Sequence, residues 1–291
     1  MVNGSLMDKT FVVTGATGRQ GSAVVRHLIQ AGARVKALTR NPSSPKAQKI
    51  KALGAELITA DMANLEALKI LFQGAEGVYS VQNPYTSSFT AEVRQGKNVA
   101  EAAKAAGVAH VVQASTGFGK KTGIPSWDSK LEIEEYMRSL GLPFTVLRPT
   151  AFMEIISDPS YYPMASVFHV MPKLMGADKK LPWLAVDDLG AIAAKVFADP
   201  GQYIGQDLKL TSDLRSINEV RELYRQVLGK KAPHFPMPVF LFRKFTGDDL
   251  IIMWKYLGDT SLDASTDLTY AILPEAQTVR TWLARQKDLE N

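Results

Sequence analysis

Short apolar segments alternate with amphipathic stretches through the first half of the chain. The apolar segments predict strands at Phe11–Thr14, Val35–Thr39, Glu56–Thr59, Val78–Val81, His110–Ala114 and Phe144–Arg148. Stretches with helical spacing lie between them, at Gly21–Gln30, Pro45–Leu53, Leu65–Phe72, Ala91–Ala106 and Ser126–Leu140. Strands that alternate with helices of this length form parallel sheets with right-handed crossovers. The pattern therefore predicts an α/β fold with a doubly wound parallel sheet.

The pattern changes after Arg148. Prolines stand at positions 149, 159, 163, 172 and 182, with aromatic residues between them. Further helices are predicted at Val186–Ala198 (capped by Asp187 or Asp188), Ile217–Leu228, Val239–Leu257 and Thr278–Gln286. We therefore predict a sheet domain over residues 1–150 and a smaller, mostly helical C-terminal lobe over residues 151–291 that packs on it and does not fold alone. In doubly wound sheets the substrate binds at the carboxyl edge of the strands.

A glycine-rich turn with the spacing GxxGxxG follows the first predicted strand. Gly15 allows a sharp turn, Gly18 lets the backbone approach a phosphate, and Gly21 lets the next helix pack on the sheet. The first N–H groups of that helix then face a pyrophosphate. The alternative is an ordinary turn before a helix that tolerates glycine. The contacts predicted for a dinucleotide are Gly15, Thr17, Gly18, Arg19, Gln20 and Gly21.

The end of the second predicted strand indicates which dinucleotide binds. An acid there accepts a hydrogen bond from the ribose of NAD, but this chain has Arg40. A guanidinium holds a 2′-phosphate with charge-assisted hydrogen bonds, and Arg19 can approach the same group. NADP(H) is therefore favoured, unless both arginines are surface residues. After the third strand, Asp61 or the neighbouring amide of Met62 is predicted to bind the adenine edge; Asp61 can also cap the helix at Leu65.

Composition and charge argue against several classes of protein, namely nucleic-acid-binding, disulfide-bonded, metal-binding and membrane proteins. The chain has 291 residues and a net charge of +5, and its basic residues are dispersed, which argues against a nucleic-acid partner. The absence of cysteine excludes disulfides and thiol catalysis and fits a cytoplasmic protein. The histidines lack metal-ligand spacing, so no metal is expected. The first residues lack the apolar core of a signal peptide, and no apolar run reaches the ~20 residues of a membrane helix, so no membrane is expected either.

A series of short motifs spans almost the whole chain. They are the glycine turn, Thr39-Arg40-Asn41-Pro42, Gly54-Ala55-Glu56 leading to Asp61, and the segments Glu92–Lys97, Lys130–Tyr136, Arg148–Glu154 and Val186–Gly190. In this order and spacing they resemble the NmrA-like family, an atypical branch of the short-chain dehydrogenase/reductase superfamily. The resemblance implies a Rossmann domain with a small C-terminal lobe, and NADP(H) as the cofactor.

The resemblance also assigns cofactor contacts by position. Beyond the glycine turn, Arg40 and Asp61, it implies contacts at Val81, Gln82, Asn83, Arg94, Lys130, Ala151, Phe152 and Glu154. Related proteins often have Glu-Asn where this chain has Met153-Glu154. The chain therefore departs from the family on the nicotinamide side of the expected site.

Two residues are candidates for catalysis. Short-chain reductases place Tyr-x-x-x-Lys on one helix face, where the tyrosine donates a proton and the lysine binds the ribose. Lys130 takes the lysine position, but Ser126 stands where the tyrosine is expected. Lys130 is predicted to bind ribose, and its alternative is to reach water from the first helical turn. Ser115, followed by Thr116, lies near the place of the substrate-orienting serine of the superfamily, or simply caps a strand end.

Other features stay open at this level. Tyr161, Tyr162 and His169 can line the crevice as proton donors, although packing is the simpler role for each. The glycine-rich segment Thr116–Ser126 is either a mobile lid or a static surface loop.

Two functions follow from these observations. In the first, the chain is an NADPH-dependent reductase of a small apolar or aromatic acceptor, such as a quinone, an enone or a related carbonyl, bound by the aromatic-rich segment 149–182. In the second, it is a redox sensor that binds NADP(H) without turnover and acts through a protein partner. Lys130 fits both functions, and the missing tyrosine favours the second. We expect a monomer or homodimer in either case.

Overall fold

The computed structural model describes residues 5–158, 163–260 and 264–290. Their contacts group the chain into two compact units. The first contains the chain as far as Arg148 together with Leu189–Leu208, and the second contains Pro149–Asp188 and the chain from Lys209 onward. The sequence suggested one boundary at residue 150, so Leu189–Leu208 is the segment whose grouping differs from that expectation.

A doubly wound sheet dominates the fold. The strands of the described residues are β1 (Thr10–Val13), β2 (Arg34–Thr39), β3 (Glu56–Thr59), β4 (Gly77–Ser80), β5 (His110–Ala114), β6 (Phe144–Pro149), β7 (Ala151–Phe152), β8 (Leu181–Leu184), β9 (Asp207–Leu210) and β10 (Asp213–Arg215). The main sheet has the order β3-β2-β1-β4-β5-β6-β9, and its pairs from β3 to β6 are parallel. This strand order confirms the predicted fold class. In the second unit, β10, β8 and β7 form a smaller sheet.

Helices connect the strands and make up most of the second unit. They are α1 (Arg19–Gln30), α2 (Pro45–Ala52), α3 (Leu65–Leu71), α4 (Phe89–Ala105), α5 (Pro125–Ser139), α6 (Met171–Met175), α7 (Val186–Ala198), α8 (Pro200–Tyr203), α9 (Ile217–Leu228), α10 (Val239–Thr246), α11 (Asp249–Asp259), α12 (Asp267–Ile272) and α13 (Val279–Glu290). Short 3-10 helices lie at Pro84–Thr86, Met153–Ile156 and Pro163–Phe168. Within the described ranges, none of these helices has the length and apolar content needed to cross a membrane.

One predicted helix is wrong. The periodicity suggested a continuous helix over Val239–Leu257, but the structure has α10 and α11 with a break at Gly247. Gly247 adopts a φ of +75°, which glycine reaches without the steric cost of a Cβ. The break brings the ring of Trp254 against Phe242 in a stacked contact with centroids 5.3 Å apart. Burial of these two aromatic rings therefore favours the turn over a longer helix.

Two long helices meet at close range beside the sheet. Gly96 of α4 faces Ile133 of α5, and a Cβ at Gly96 would lie 2.5 Å from Ile133 Cδ1. Gly96 is buried, and Ile133 belongs to an apolar core that the absence of a side chain at Gly96 allows to close. This contact fixes α5, which carries Lys130, against α4, which carries Glu92.

Candidate functional site

The glycine turn has the geometry that its spacing predicts. β1 ends at Val13 and α1 begins at Arg19. Gly15 has a φ of +55°, and a Cβ there would lie 2.9 Å from Val81 Cγ1. A Cβ at Gly21 would lie 2.3 Å from the carbonyl oxygen of Gly15, so the first helix and the turn approach closely. A side chain at Gly21 would therefore collide with the backbone of the turn, and one at Gly15 would be strained by the positive φ and crowded by Val81.

The start of α1 is open to an anion. Gly18 is the exposed N-cap residue, and within the described chain no side chain forms a capping hydrogen bond there. A Cβ at Gly18 would meet only the carbonyl oxygen of Gly15, at 3.1 Å. The first N–H groups of a helix lack intrahelical acceptors, and the helix dipole places partial positive charge there. This end of α1 can therefore hold a phosphate group.

Hydrogen bonds tie the turn to the end of β4. The Thr14 hydroxyl donates to the carbonyl oxygens of Tyr79 and Val81 at 3.2 and 3.0 Å, and it accepts from the Val81 N–H at 2.8 Å. The Tyr79 hydroxyl donates to Gln20 Oε1 at 3.3 Å, and burial raises the pKa of this tyrosine. Tyr79 therefore stays a neutral donor, and Gln20 is drawn toward the sheet.

The predicted 2′-phosphate residue lies on an exposed loop. Arg40 follows β2, is exposed, and forms no ion pair within the described residues. The loop beyond it is fixed by its own hydrogen bonds, from the Asn41 N–H to Thr39 Oγ1 at 3.2 Å and from the Ser43 N–H to Asn41 Oδ1 at 3.1 Å. Arg40 thus extends from a fixed backbone with its charge uncompensated in this part of the structure.

Asp61 does not cap the helix that follows it. Its Oδ1 accepts from the Ala63 N–H at 2.8 Å, whereas the N-cap of α3 is Asn64, which accepts from the Ala67 N–H at 3.1 Å. The capping alternative for Asp61 is therefore wrong. Asp61 is exposed beyond β3, and the carbonyl of Met62 accepts from the Asn98 side chain at 2.9 Å.

The loop after β4 contains a buried polar group without a partner. Gln82 is 3% exposed and donates through Nε2 to Ser80 Oγ at 3.0 Å, but its Oε1 accepts no hydrogen bond from the described residues. An unsatisfied buried oxygen is costly, and a donor from a ligand would remove that cost. Next to it, Asn83 is exposed and accepts from the Tyr85 N–H at 3.0 Å.

Lys130 lies in a buried ion pair. Its ammonium donates to Glu92 Oε1 at 2.8 Å and to the Gln82 carbonyl at 3.3 Å, and its side chain is 12% exposed. Glu92 is fully buried, and its Oε2 accepts from the Ser129 hydroxyl at 2.6 Å. The alternative in which Lys130 extends into water is therefore wrong. An ammonium has three N–H donors, so one remains for a ligand.

Glu92 is the site residue that sequence reasoning missed. It lies in the first turn of α4, where an acidic residue is common because it complements the helix dipole. Nothing in its local pattern shows that it is buried. Its partner is 38 positions away, and the contact exists only because α4 and α5 pack together.

Ser115 is engaged in a second buried network. Its hydroxyl donates to Glu134 and accepts from Arg148 Nη1 at 3.1 Å. Arg148 also donates to Glu134 Oε2 at 2.5 Å, to Asp207 Oδ1 at 2.7 Å and to the Thr116 carbonyl at 2.9 Å. Ser115 is 2% exposed, and its hydroxyl lies between Glu134 and Arg148, which also bind each other directly. Its predicted role in orienting substrate stays a prediction that this network does not favour.

The segment Thr116–Ser126 is anchored at several points. Arg148 holds the Thr116 carbonyl, and the Asp128 carboxylate accepts from the N–H groups of Thr122 and Gly123 at 2.8 and 2.9 Å. The Phe118 ring packs edge-on against Trp127. These contacts favour the static-loop alternative over the lid.

The remaining residues predicted to contact the cofactor belong to different units of the chain. Arg94 is exposed on α4 in the first unit, whereas Ala151, Phe152 and Glu154 belong to the second unit. Glu154 accepts from the Val186 N–H at 3.0 Å and so caps α7, while Asp187 and Asp188 lie inside its first turn rather than at the predicted cap. Burial is the main reason that the pKa of Glu154 rises to about 7.

The other proposed proton donors gain no support. Tyr161 and Tyr162 lie outside the described residues. His169 is buried, and its Nε2 accepts from Lys173 Nζ at 2.9 Å. Ser126 is 7% exposed, so the place of the expected tyrosine is filled by a small buried side chain. In the described ranges no cluster of His, Asp or Glu has the arrangement of a metal site.

The family model of the NmrA-like family matches residues 7–283 of the chain. The chain belongs to the NmrA-like family. This confirms the resemblance drawn from the motifs. One curated relative, the NmrA-like family domain-containing oxidoreductase FrzB of Cladobotryum sp., is 31% identical over 257 residues, which cover 78% of this chain and 76% of the relative.

Two solved structures have a fold similar to that of this NmrA-like protein. NmrA, a negative transcriptional regulator solved in complex with NADP, aligns with a TM-score of 0.79 at 22% identity, over 98% of this chain and 97% of that one. The Citrobacter sp. triphenylmethane reductase complexed with NADP(H) aligns with a TM-score of 0.78 at 20% identity, over 96% and 99% of the two chains.

Proposed function

We propose that the chain is an NADPH-dependent reductase of a small electrophile, such as a quinone, an enone or a related carbonyl compound. The geometry of the glycine turn carries this proposal. Side chains are sterically excluded at Gly15 and Gly21, and the start of α1 is open at Gly18, as a pyrophosphate site requires. The bound NADP of NmrA and the bound NADP(H) of the Citrobacter reductase support the choice of nucleotide.

Arg40 is the residue proposed to select NADP(H). Its charge is uncompensated within the described chain, and it follows the strand that precedes the ribose position in this fold. A 2′-phosphate would form charge-assisted hydrogen bonds with the guanidinium, which a 2′-hydroxyl cannot match. Asp61 and Met62, at the end of the next strand, would bind the adenine edge.

Lys130 is proposed to bind the ribose. Glu92 and the Gln82 carbonyl take two of its three N–H donors and fix the third. The buried Oε1 of Gln82, which lacks a donor, would gain one from a bound hydroxyl or amide. The residues present therefore fit the group that the family implies.

The proposed acceptor class follows from the lack of a positioned acid at the expected tyrosine and serine places of the described chain. Ser126 replaces the tyrosine and Ser115 is held in its own network, so neither delivers a proton in this geometry. A reduced nicotinamide supplies a hydride when it is bound. An enone or quinone spreads the resulting negative charge over several atoms and can take its proton from water, so the protein needs only to bind and orient it. Relatives named oxidoreductases support turnover.

The experiment is a calorimetric titration with NADPH and NADH, followed by turnover assays at the nicotinamide absorbance with quinones, enones and aldehydes. We expect NADPH to bind at least tenfold more tightly than NADH. Arg40→Ala should weaken NADPH about tenfold or more and NADH less than threefold, because it removes only the contacts to the 2′-phosphate. Equal weakening of both nucleotides, or no binding of either, would contradict the proposal. Lys104→Ala, an exposed cation on α4, is the control.

A non-catalytic redox sensor is the second candidate function. The serine at position 126 favours it, and so does the description of NmrA as a negative transcriptional regulator. Tight NADPH binding without turnover of any acceptor, together with capture of a protein that depends on NADPH, would favour the sensor. Turnover that Lys130→Met abolishes would favour the reductase.

A further inference from the structure

A cleft of about 370 Å³ lies in the second unit beside α9 and the loop that precedes α10. Its lining includes the cations Arg221, Arg225 and Lys231, the imidazole of His234, and one carboxylate, Glu222. None of the residues predicted to bind the dinucleotide lines it. The cleft therefore needs its own explanation.

The single carboxylate does not balance these cations. Glu222 accepts from Arg225 through both oxygens, at 2.7 and 3.1 Å, so its charge is matched by that arginine. Arg221 and Lys231 form no ion pair with any carboxylate of the described residues. The cleft thus carries a net positive charge that no ion pair with the described residues of this unit compensates.

Arg221 is held in a fixed orientation by neutral acceptors. Its Nη1 donates to Asn218 Oδ1 at 2.7 Å, and its Nη2 donates to the Phe168 carbonyl. A guanidinium has five N–H donors, so three remain. Because the planar group is already positioned, an oxyanion can bind to it with little loss of side-chain entropy.

Two histidines and one further cation, Lys173, lie in contact with one another beside the cleft. The rings of His169 and His234 meet edge-on with centroids 4.6 Å apart, and Lys173 Nζ donates to His169 Nε2 at 2.9 Å. Burial lowers the pKa of His169, and the charges of Lys173 and Arg221 lower it further. His169 is therefore a neutral acceptor, and the Lys173 ammonium that it binds adds to the positive charge near the cleft, which a bound anion would offset.

We propose that this cleft binds a small organic anion whose carboxylate or phosphate is held by Arg221, with Lys231 and His234 beside it. Paired hydrogen bonds from a guanidinium suit both kinds of oxyanion. The volume lies in the range of small-molecule sites, and Ala232 and Pro233 offer apolar surface for the rest of the ligand.

The test uses the full chain with labelled histidines, followed by nuclear magnetic resonance at 0.15 M NaCl. Benzoate and phenyl phosphate are the probes, so the two arms separate a carboxylate from a phosphate ligand. We expect the His234 resonance to shift saturably with at least one probe, while the His27 resonance in the first unit stays unchanged. Arg221→Gln should weaken binding about tenfold or more, and Lys231→Gln about threefold.

Control variants distinguish specific binding in the cleft from non-specific electrostatic attraction of the anion to the protein. Arg280→Gln removes an exposed arginine of the same unit that does not line the cleft, and it should change the affinity less than twofold. Circular dichroism checks that Arg221→Gln is folded. If that variant is not folded, the loss of probe binding in Lys231→Gln is the test of the proposal. The proposal would be overturned if His234 showed no saturable shift, or if His27 shifted equally. It would also be overturned if Lys231→Gln and a folded Arg221→Gln both bound the probe as tightly as the wild type.

The outcome is independent of the nucleotide site. NADPH should bind the Arg221→Gln and wild-type proteins equally, and phenyl phosphate should not displace it. Displacement of NADPH by the probe, with no shift at His234, would mean that the anion occupies the glycine turn and that the cleft is empty.

Discussion

At the scale of single residues, the ion pair between Glu92 and Lys130 bears on two alternatives that the sequence could not distinguish: a lysine held inside the site and a lysine that reaches into water. Lys130 is held by a protein carboxylate before any ligand arrives, so its charge does not depend on a cofactor for compensation. The sequence indicated that Lys130 needed a partner but gave no sign of which one. Residues far apart in sequence meet here because of helix packing, which a local pattern does not contain.

Glu92→Gln should therefore destabilise the protein by about 3–5 kcal/mol, because it leaves a buried ammonium without its counter-charge. The double variant Glu92→Gln with Lys130→Met should recover most of this loss, since no charge is then left buried. Unfolding in guanidinium chloride measures both effects. Glu132→Gln is the control, because Glu132 pairs with Lys97 at the surface, and it should cost about 1 kcal/mol or less. A double variant as unstable as Glu92→Gln would refute the ion-pair argument.

Glu154 gives a second residue-scale prediction, on the pH dependence of stability. Its folded-state pKa of about 7 lies above the unfolded value of 4.5, mainly because of burial. The folded protein thus binds more protons than the unfolded one between these values, and the free energy of unfolding falls as the pH rises through this window. The loss approaches about 3 kcal/mol at pH 8.

Glu154→Gln cannot ionise but still accepts the hydrogen bond from Val186. We expect it to match the wild type near pH 5 and to exceed it in stability by up to about 3 kcal/mol at pH 8. Denaturant unfolding at pH 5, 6, 7 and 8 measures the difference. Glu275→Gln, at an exposed position, should give curves parallel to the wild type. Parallel curves for Glu154→Gln as well would show that the carboxyl group is ionised at neutral pH.

At the scale of elements, the close contact between α4 and α5 depends on Gly96. Alanine there would place its Cβ 2.5 Å from Ile133 Cδ1, so Gly96→Ala should destabilise the protein by about 1–3 kcal/mol despite its better helix propensity. Thermal unfolding measures this cost. Adding Ile133→Ala opens space, so the two changes together should cost less than the sum of their separate effects. Gly201→Ala is the control, because a Cβ there meets its nearest atom at 3.8 Å.

The same scale shows what the sequence could and could not predict. β1 to β6 lie within one residue of their predicted bounds, because most of these strands are largely buried and contain short apolar runs. β3 is the exception, since it is exposed at both ends. β7, β8, β9 and β10 were not predicted, since they are two to four residues long, lie after the alternating pattern has ended, and β8 contains Pro182. The break at Gly247 was missed because the apolar spacing continues through it, and only the stacking of Trp254 on Phe242 distinguishes two helices from one.

At the scale of the whole molecule, the first unit is completed by chain from beyond residue 188. Phe197 is 4% exposed; its ring lies 4.9 Å from that of Phe11 and 5.4 Å from that of His110, measured between centroids. Asp207 supplies a carboxylate to the buried Arg148. The first unit therefore depends on residues that the predicted boundary at 150 would leave out.

A chain that ends at residue 150 should thus fail to fold, because it lacks both the Phe197 ring and Asp207, one of the two carboxylates that pair with the buried Arg148. In the full chain, Phe197→Ala should lower the free energy of unfolding by about 3–5 kcal/mol, through lost burial and the cavity left beside β1. Denaturant unfolding, followed by NADPH binding as a readout of the first unit, measures the effect. Phe245→Ala, which removes a 69% exposed ring, should stay within about 0.5 kcal/mol of the wild type. Cooperative unfolding by the 1–150 fragment would mean that the sheet is stable without the segment Leu189–Leu208, and would contradict this prediction.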